Sequence, residues 1–246
     1  MQHKLTLLPH LIKHTPKTIV HDSKQASGSI TVYAFDLDHT IVRPRTPGLR
    51  FSRSADDWEF MSFSAGRTAF EKLLSLVMED PSAHVVIFSN QGGVITVPPT
   101  SKSCLKYTQK IELILEEISR NVNGTMLTER LWIYASTKRS GSLVDSKRNT
   151  KKSGLMKIAK LSNGTQDKKS VSKSLPSLLF IPGMRKPEIG MAHEFRKDME
   201  SVYPGFDIEY RYFCGDAAGR PKDFSDSDKI FAQNLDVPFK VPEDVF

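Results

Sequence analysis

The chain has 246 residues, of which 39% are hydrophobic, so it falls in the size range of one large α/β domain with enough apolar material for a buried core. Its two cysteines, Cys104 and Cys214, belong to no CxxC or Cys/His cluster, which excludes a disulfide framework and a cysteine-based metal site. The net charge is +7, and no apolar run approaches the roughly 20 residues that a membrane-spanning helix needs.

Predicted strands and helices alternate along the chain. The N-terminal "LTLLPHLI" has the composition of a strand, and further strands are predicted at residues 30–35, 84–88, 131–136 and 208–215. Apolar residues at helical spacing predict helices over 69–78, ended by Asp80-Pro81, and over 111–118, with a third helix after Pro187. This alternation predicts an α/β fold with a mostly parallel central sheet covered on both faces, in a single domain over residues 1–246.

The positive charge is concentrated in one segment between the strand at 131–136 and Pro187. Residues 137–175 carry eleven Lys or Arg, two Asp and eight Ser, a net +9, so the rest of the chain carries about −2. The segment has too few apolar side chains to offset the entropy of ordering, and we predict a disordered Lys/Ser-rich insertion loop over 137–176. A solvated surface loop is the simpler interpretation, and a basic arm that binds a polyanion or a nuclear import receptor is the alternative.

Polar side chains follow the predicted strands at the points where they end. Asp36 and Asp38 follow the strand at 30–35, and Ser89 and Asn90 follow the strand at 84–88. Gly215-Asp216 stands at the end of the strand at 208–215, and Lys186 precedes the third helix. The carboxyl ends of parallel strands share one edge of a sheet, where ligands bind. A single such residue is more often a helix cap or a turn residue, but a set in register with the strands predicts a common site.

Phosphoryl transfer through an aspartyl phosphate requires this set of side chains. One carboxylate is the nucleophile, and a second protonates the leaving oxygen and later activates water. Mg²⁺ bound by acids allows two anions to approach, and a hydroxyl and a lysine bind the oxygens of the transferring group. At the end of a strand the chain turns, so two carboxylates separated by one residue can take these two different positions.

The motifs resemble those of the haloacid dehalogenase superfamily. "DLDHT" is similar to its DxDxT motif, and Ser89, Lys186 and Gly215-Asp216 occur in the order of its other three motifs. A narrower similarity is to the polynucleotide kinase 3′-phosphatase family, whose members are fused to a kinase or stand alone. It rests on "YAFDLDHTIVRP", "SADDWEF", "IFSNQGG", "RKPEIGM" and above all "FCGDAAGRPKDFSDSDKIFAQNLDVPF". The similarity covers the chain except for residues 137–182.

This resemblance implies a three-layer, Rossmann-like fold and a role for each matching residue. It implies catalytic roles for Asp36 as nucleophile, Asp38 as general acid and base, and Ser89 and Lys186 as ligands of the phosphoryl oxygens. It implies Mg²⁺ ligation by Asp36, the Asp38 carbonyl, Asp216 and Asp228, and substrate contacts from Thr40, Asn90, Arg185 and Arg220. Asp223 is an alternative to Asp228, and either of the two could instead cap a helix beginning near Ser225.

The implied activity is that of a Mg²⁺-dependent polynucleotide 3′-phosphatase that leaves a 3′-hydroxyl at DNA strand breaks, in the nucleus. The insertion's composition argues against a large cap domain, and an open site favours a macromolecular substrate. Without a GxxxxGK[ST] loop we expect no nucleotide cofactor. We also expect a monomer, no membrane association and DNA binding without sequence preference. The alternatives are a phosphatase of the same superfamily that acts on phosphoproteins or small phosphoesters, and a non-enzymatic nucleic-acid binder.

Overall fold

A seven-stranded sheet forms the centre of the computed structural model, which describes residues 3–18, 28–63, 66–138 and 183–246. The strands are β1 (His3–Leu8), β2 (Leu11–Pro16), β3 (Gly28–Phe35), β4 (Val42–Arg43), β5 (Glu59–Phe60), β6 (Ala83–Gln91), β7 (Leu131–Thr137), β8 (Phe206–Cys214) and β9 (Phe239–Lys240). The helices are α1 (Ala69–Glu79), α2 (Lys102–Arg120), α3 (Gly124–Thr128), α4 (Gly190–Val202) and α5 (Ser227–Asn234).

The order of strands across the sheet is β1-β2-β7-β6-β3-β8-β9, and β4 and β5 form a separate antiparallel pair. The five strands from β7 to β9 are parallel, and β1 and β2 are added to the β7 edge in antiparallel orientation. The predicted mostly parallel sheet is confirmed. Its central strands are buried on both faces, as their nearly continuous apolar sequences require.

Helices cover both faces of the sheet, so the architecture has three layers. Successive residues of a strand point to opposite faces. In β6, Val85 and Ile87 pack in the cluster that includes α1, α2 and α3, whereas Val86 and Phe88 pack in the cluster that includes α4 and α5. The two apolar layers therefore fix the sheet between them.

Local sequence signals set the ends of the helices. Thr68 caps α1 in a capping box, because its hydroxyl accepts from the backbone of Glu71 and the Glu71 carboxylate accepts from the backbone of Thr68. The helix ends at Asp80, before Pro81, as predicted. Helix α2 begins nine residues before the predicted apolar stripe, with Ser101 as its N-cap. In the part of the chain that the structure describes, no helix is long and apolar enough to cross a membrane.

The N-terminal prediction was too simple, since "LTLLPHLI" is not one strand but parts of two. It folds as a hairpin, with a turn at Pro9 and His10 between β1 and β2. Proline lacks an N–H for a ladder hydrogen bond and favours a turn, which explains the break. Lys13 of β2 then binds Glu194 at 2.7 Å and attaches the hairpin to α4.

The basic insertion lies almost entirely outside the described residues. Thr137, the first residue of the predicted loop, ends strand β7, so the predicted boundary was early at this end. Residues 139–182 are not described, and the predictions of a disordered loop and of no large cap domain fall on them.

Three buried histidines make stability depend on pH. Burial lowers the pKa of His3 to about 4 and that of His14 and His84 to about 3. In the unfolded chain these groups titrate near 6.5. Their neutral forms therefore stabilise the fold fully above about pH 6.5, and this stabilisation is lost as the pH falls towards the folded pKa values.

We expect His14→Gln to flatten the dependence of the unfolding free energy on pH between 7.5 and 5. The slope loses up to about 1.4 kcal/mol per pH unit, because one proton fewer is taken up on unfolding. Denaturant titrations across this pH range measure the slope. His193→Gln, at an exposed position of α4, is the matched control and leaves the slope unchanged. An unaltered slope for His14→Gln would contradict this role of His14.

Candidate active site

The strand register brings the predicted polar residues to one edge of the sheet. Phe35, the last residue of β3, pairs with Ile87 of β6 on one side and with Cys214 of β8 on the other. The backbone N–H of Asp36 donates to the Cys214 carbonyl at 2.8 Å. As a result Asp36 lies level with the Gly215-Asp216 step and close to the end of β6, which carries Ser89.

Lys186 is the centre of the site. Its ammonium lies 2.5 Å from Asp36 Oδ1 and 2.8 Å from Asp228 Oδ1, and its side chain is only 1% exposed. Burial alone would lower the pKa of Lys186, but Asp228 and Asp36 raise it above its ordinary value. Lysine is therefore the charged partner of two buried carboxylates, a pairing that a buried lysine requires.

Asn90 positions Lys186. Its side-chain oxygen accepts from the Lys186 backbone N–H at 2.9 Å and from Ser136 Oγ at 3.1 Å, and its Nδ2 donates to the Lys186 carbonyl at 3.0 Å. These bonds connect the end of β6 to the segment before α4. The sequence predicted a substrate contact for Asn90; the structure gives its amide three partners within the protein.

The structure separates Asp228 from Asp223. Asp228 is 2% exposed and binds Lys186, and its Oδ2 accepts from the backbone N–H of Ala217 at 3.1 Å. Asp223 accepts from the backbone of Ala218 and from the Arg220 side chain instead. Neither acid caps α5, whose N-cap residue is Asp226. Of the two acids, Asp228 is the one that joins the site.

Glycine is required beside Asp228 because the two residues lie in close contact. A Cβ placed on Gly215 would overlap the Asp228 carboxylate, so any larger residue there would displace Asp228. Gly215 therefore leaves the space that the Asp228 carboxylate occupies, and the next residue, Asp216, contributes a further acid.

Asp36, Asp216 and Asp228 form an acidic cluster that can bind a metal ion. Each offers one carboxylate oxygen, and the three oxygens lie within 4.8 Å of one another. Burial raises the pKa of Asp36 well above its usual range; Lys186 opposes this rise, and the neighbouring carboxylates add to it. Burial and Asp228 likewise raise the pKa of Asp216. One lysine does not offset three carboxylates, and oxygen ligands of this kind suit a hard divalent cation.

Asp38 has a separate environment that the sequence analysis missed. Lys110 of α2 lies 2.8 Å from Asp38 Oδ1, and Gln91 Nε2 donates to Asp38 Oδ2 at 2.7 Å and to Ser89 Oγ at 2.8 Å. Burial alone would raise the pKa of Asp38, but the charge and hydrogen bond of Lys110, with the Gln91 amide, lower it. A signal was available, because Lys110 interrupts the apolar stripe of α2 between Tyr107 and Ile114.

These residues line a cavity of about 890 Å³. Of the predicted site residues, it includes Asp36, Asp38, Ser89, Asn90, Arg185, Lys186, Asp216 and Asp228. Thr40 and Arg220 are not among its lining residues. Thr40 is fully buried, and Arg220 pairs with Asp223 and Glu243 on the surface. The predicted substrate contacts of these two side chains stay predictions.

A mostly parallel α/β sheet that gathers carboxylates, a lysine and a serine at its carboxyl edge defines an α/β phosphatase. Residues 31–246 match the family model described as "Polynucleotide kinase 3 phosphatase". The chain belongs to this polynucleotide kinase 3′-phosphatase family, as its motifs predicted.

The similar proteins agree with this assignment. A Saccharomyces cerevisiae protein named "Polynucleotide 3′-phosphatase" is 45% identical over 255 residues, covering 100% of this chain and 99% of its own length. A protein of the same name from Saccharomyces mikatae is 45% identical over 254 residues, covering 100% and 96%. The "Bifunctional polynucleotide phosphatase/kinase" of Schizosaccharomyces pombe is 28% identical over 213 residues, covering 87% of this chain and 36% of that protein.

The repulsion within the acidic cluster predicts an unusual stability change. In metal-free buffer, Asp216→Asn raises the melting temperature by about 2–4 °C, because it removes the half-buried member of three crowded carboxylates, of which the other two are buried. Titration with a divalent cation stabilises the natural chain and stabilises the variant much less. Thermal unfolding with and without the cation measures both effects.

Asp207→Asn, at an exposed position of β8, is the matched control and alters neither value. A variant that is less stable without metal, and that still gains as much stability from the cation, would exclude Asp216 as a ligand.

Proposed function

We propose that this chain is a Mg²⁺-dependent polynucleotide 3′-phosphatase, a phosphoric monoester hydrolase of haloacid dehalogenase type that converts 3′-phosphate ends of DNA into 3′-hydroxyl ends. The observation that carries the proposal is the position of Asp36. It lies against Lys186 and within the acidic cluster, on the wall of a wide cavity. The names of the two Saccharomyces relatives, which match across the whole chain, support the choice of substrate.

In the first step, a carboxylate oxygen of Asp36 attacks the phosphorus atom of the 3′-phosphate. The bond between Asp36 and phosphorus forms as the bond from phosphorus to the 3′ oxygen of the sugar breaks. Asp38 donates a proton to that leaving oxygen, which would otherwise depart as a poorly stabilised alkoxide. Ser89 and Lys186 bind the phosphoryl oxygens as negative charge moves onto them.

In the second step, water attacks the aspartyl phosphate. Asp38, now a carboxylate, takes a proton from that water, and inorganic phosphate leaves as Asp36 is regenerated. One residue thus acts as acid and then as base. The two aspartates have distinct surroundings, since Asp36 lies in the acidic cluster and Asp38 lies between Lys110 and Gln91.

Asp36, Asp216 and Asp228 are the side chains that would bind Mg²⁺, together with the backbone carbonyl of Asp38. The fit rests on the donor set, which consists of carboxylate oxygens within 4.8 Å of one another. When bound, Mg²⁺ would supply positive charge that allows an anionic phosphate to approach an anionic nucleophile.

The rim of the cavity fits a polynucleotide better than a small phosphoester. Phe51 and Phe224 line it and are each 69% exposed, and the Arg50 guanidinium lies 4.1 Å from the centre of the Phe224 ring. Exposed aromatic rings provide surfaces on which bases can stack. Lys106, Lys138 and Arg185 also line the cavity and provide positive charge for backbone phosphates; of these, Arg185 is the predicted substrate contact that the geometry supports.

Further properties of the proposed enzyme follow from this chemistry. Phosphate and stacking contacts carry no base sequence, so we propose sequence-independent binding of DNA ends. We also propose that the protein acts as a monomer, since one chain contributes every residue of the proposed site, and that it acts in the nucleus. The nuclear proposal is supported by the repair role of such an activity and by basic pairs such as Lys151-Lys152.

Matched oligonucleotides that carry one phosphate at the 3′ or at the 5′ end test the proposal. We expect phosphate release from the 3′ end only, with Mg²⁺ and not with EDTA. Asp36→Asn lowers the rate by about 10³-fold or more, because it removes the nucleophile and leaves the fold intact. Asp207→Asn, at an exposed position of β8, retains the activity of the natural chain and serves as the control.

Two results would point elsewhere. One is the release of phosphate from an aryl phosphate or a phosphopeptide and from neither oligonucleotide. That result would favour the alternative, a phosphatase of the same superfamily that acts on phosphoproteins or small phosphoesters. An Asp36→Asn variant that keeps substantial activity would remove Asp36 from the role of nucleophile.

A further inference from the structure

Asp38 is bound at both oxygens by side chains of two different elements. Lys110 Nζ lies 2.8 Å from Oδ1, and Gln91 Nε2 lies 2.7 Å from Oδ2. Gln91 follows Ser89 at the end of β6, whereas Lys110 projects from the middle of α2. A carboxylate bound in this way cannot rotate without losing one of its two partners.

Placing the Lys110 ammonium at this largely buried position costs free energy. Its side chain is 10% exposed, and it lies one residue from Ile111, which packs in the core between α2 and the sheet. Burying an ammonium requires a charged or hydrogen-bonded partner. Across the ranges that the structure describes, that partner is Asp38 alone. The ion pair therefore connects the core side of α2 directly to the catalytic edge.

We propose that Lys110 is a positioning residue for the reaction, which, with Gln91, fixes the orientation of the Asp38 carboxylate towards the leaving oxygen. This inference rests on the proposed role of Asp38 as general acid and base. The two oxygens of a carboxyl group offer about four sites in total, of which Lys110 and Gln91 occupy two, and the proton that Asp38 carries as general acid occupies one of the others. The remaining sites have fixed directions, so the proton moves along a defined line to and from the cavity.

Orientation of this kind affects the rate more than the binding of substrate. A misplacement of about 1 Å in a reacting group can lower a rate by about 100-fold. The loss is confined to steps that need a proton from Asp38. The departure of a sugar 3′ oxygen needs that proton, whereas a nitrophenolate leaves readily as an anion.

The experiment compares single-turnover release of the leaving group, with enzyme in excess, from a 3′-phosphate oligonucleotide and from 4-nitrophenyl phosphate. We expect Lys110→Met to lower the rate about 10- to 100-fold on the oligonucleotide and less than about threefold on the aryl phosphate, with little change in substrate affinity. Lys110→Arg restores most of the loss, since it returns a cation to Oδ1. Lys102→Met, at an exposed position of the same helix, is the matched control.

Asp38→Ala provides the second half of the test. It should show the same selectivity between leaving groups, and Lys110→Met should then add nothing further, because both changes remove one function. Gln91→Leu removes the other contact, and because Gln91 also donates to Ser89 Oγ we expect a loss on both substrates that is larger on the oligonucleotide. This excess loss keeps the test valid if Lys110→Met does not fold.

Equal losses on both substrates, or additive losses in the double variant, would overturn the inference. They would show that Lys110 acts on the nucleophile or on the phosphoryl group. If the natural chain acts on the aryl phosphate and not on DNA, the proposed function fails by itself. The role of Lys110 is then tested by the same comparison between alkyl and aryl phosphates.

Discussion

The buried ammonium of Lys186 is the interaction on which the rest of the site depends. It joins Asp36 at the end of β3 to Asp228 in the first turn of α5, and Asn90 fixes its backbone from the end of β6. Without this cation, two carboxylates would lie uncompensated in a buried environment, which costs several kcal/mol for each ion. Three chain segments that are distant in sequence are thus positioned by one charge.

The fold tolerates this electrostatic cost because its stability comes mainly from apolar packing away from the site. Large apolar clusters on the two faces of the sheet pack the strands that carry the site, and Phe35 and Phe213 belong to them. Burial, with the neighbouring carboxylates, keeps the pKa of Asp36 and Asp216 raised even with Lys186 beside them. A protein that gathers acids in this way exchanges some stability for the ability to bind a cation and an anionic substrate together.

The aspartate doublet also shows how one motif gives two chemical environments. Asp36 lies among other carboxylates, whereas Asp38, two residues later, lies between Lys110 and Gln91. Their pKa values move in opposite directions in the absence of a bound cation, because burial and the neighbouring carboxylates raise that of Asp36, whereas at Asp38 the effect of burial is outweighed by Lys110 and Gln91. The turn of the chain after β3 allows this separation, since on a continuing strand both side chains would share a face.

The sequence by itself determined the strands that end at the site, the parallel order expected of them, the family, and the residues Asp36, Ser89, Lys186 and Asp216 as a group. These features follow from local patterns, because periodicity sets each element and strand ends mark each polar residue. Only the tertiary structure showed that Asp228, and not Asp223, contacts Lys186, and that Asn90 binds the Lys186 backbone. It also showed that the N-terminal stretch is a hairpin and that Lys110 pairs with Asp38. The physical reason is that a contact between distant segments depends on strand register and on the packing of helices against the sheet. The spacing of residues along one segment determines neither.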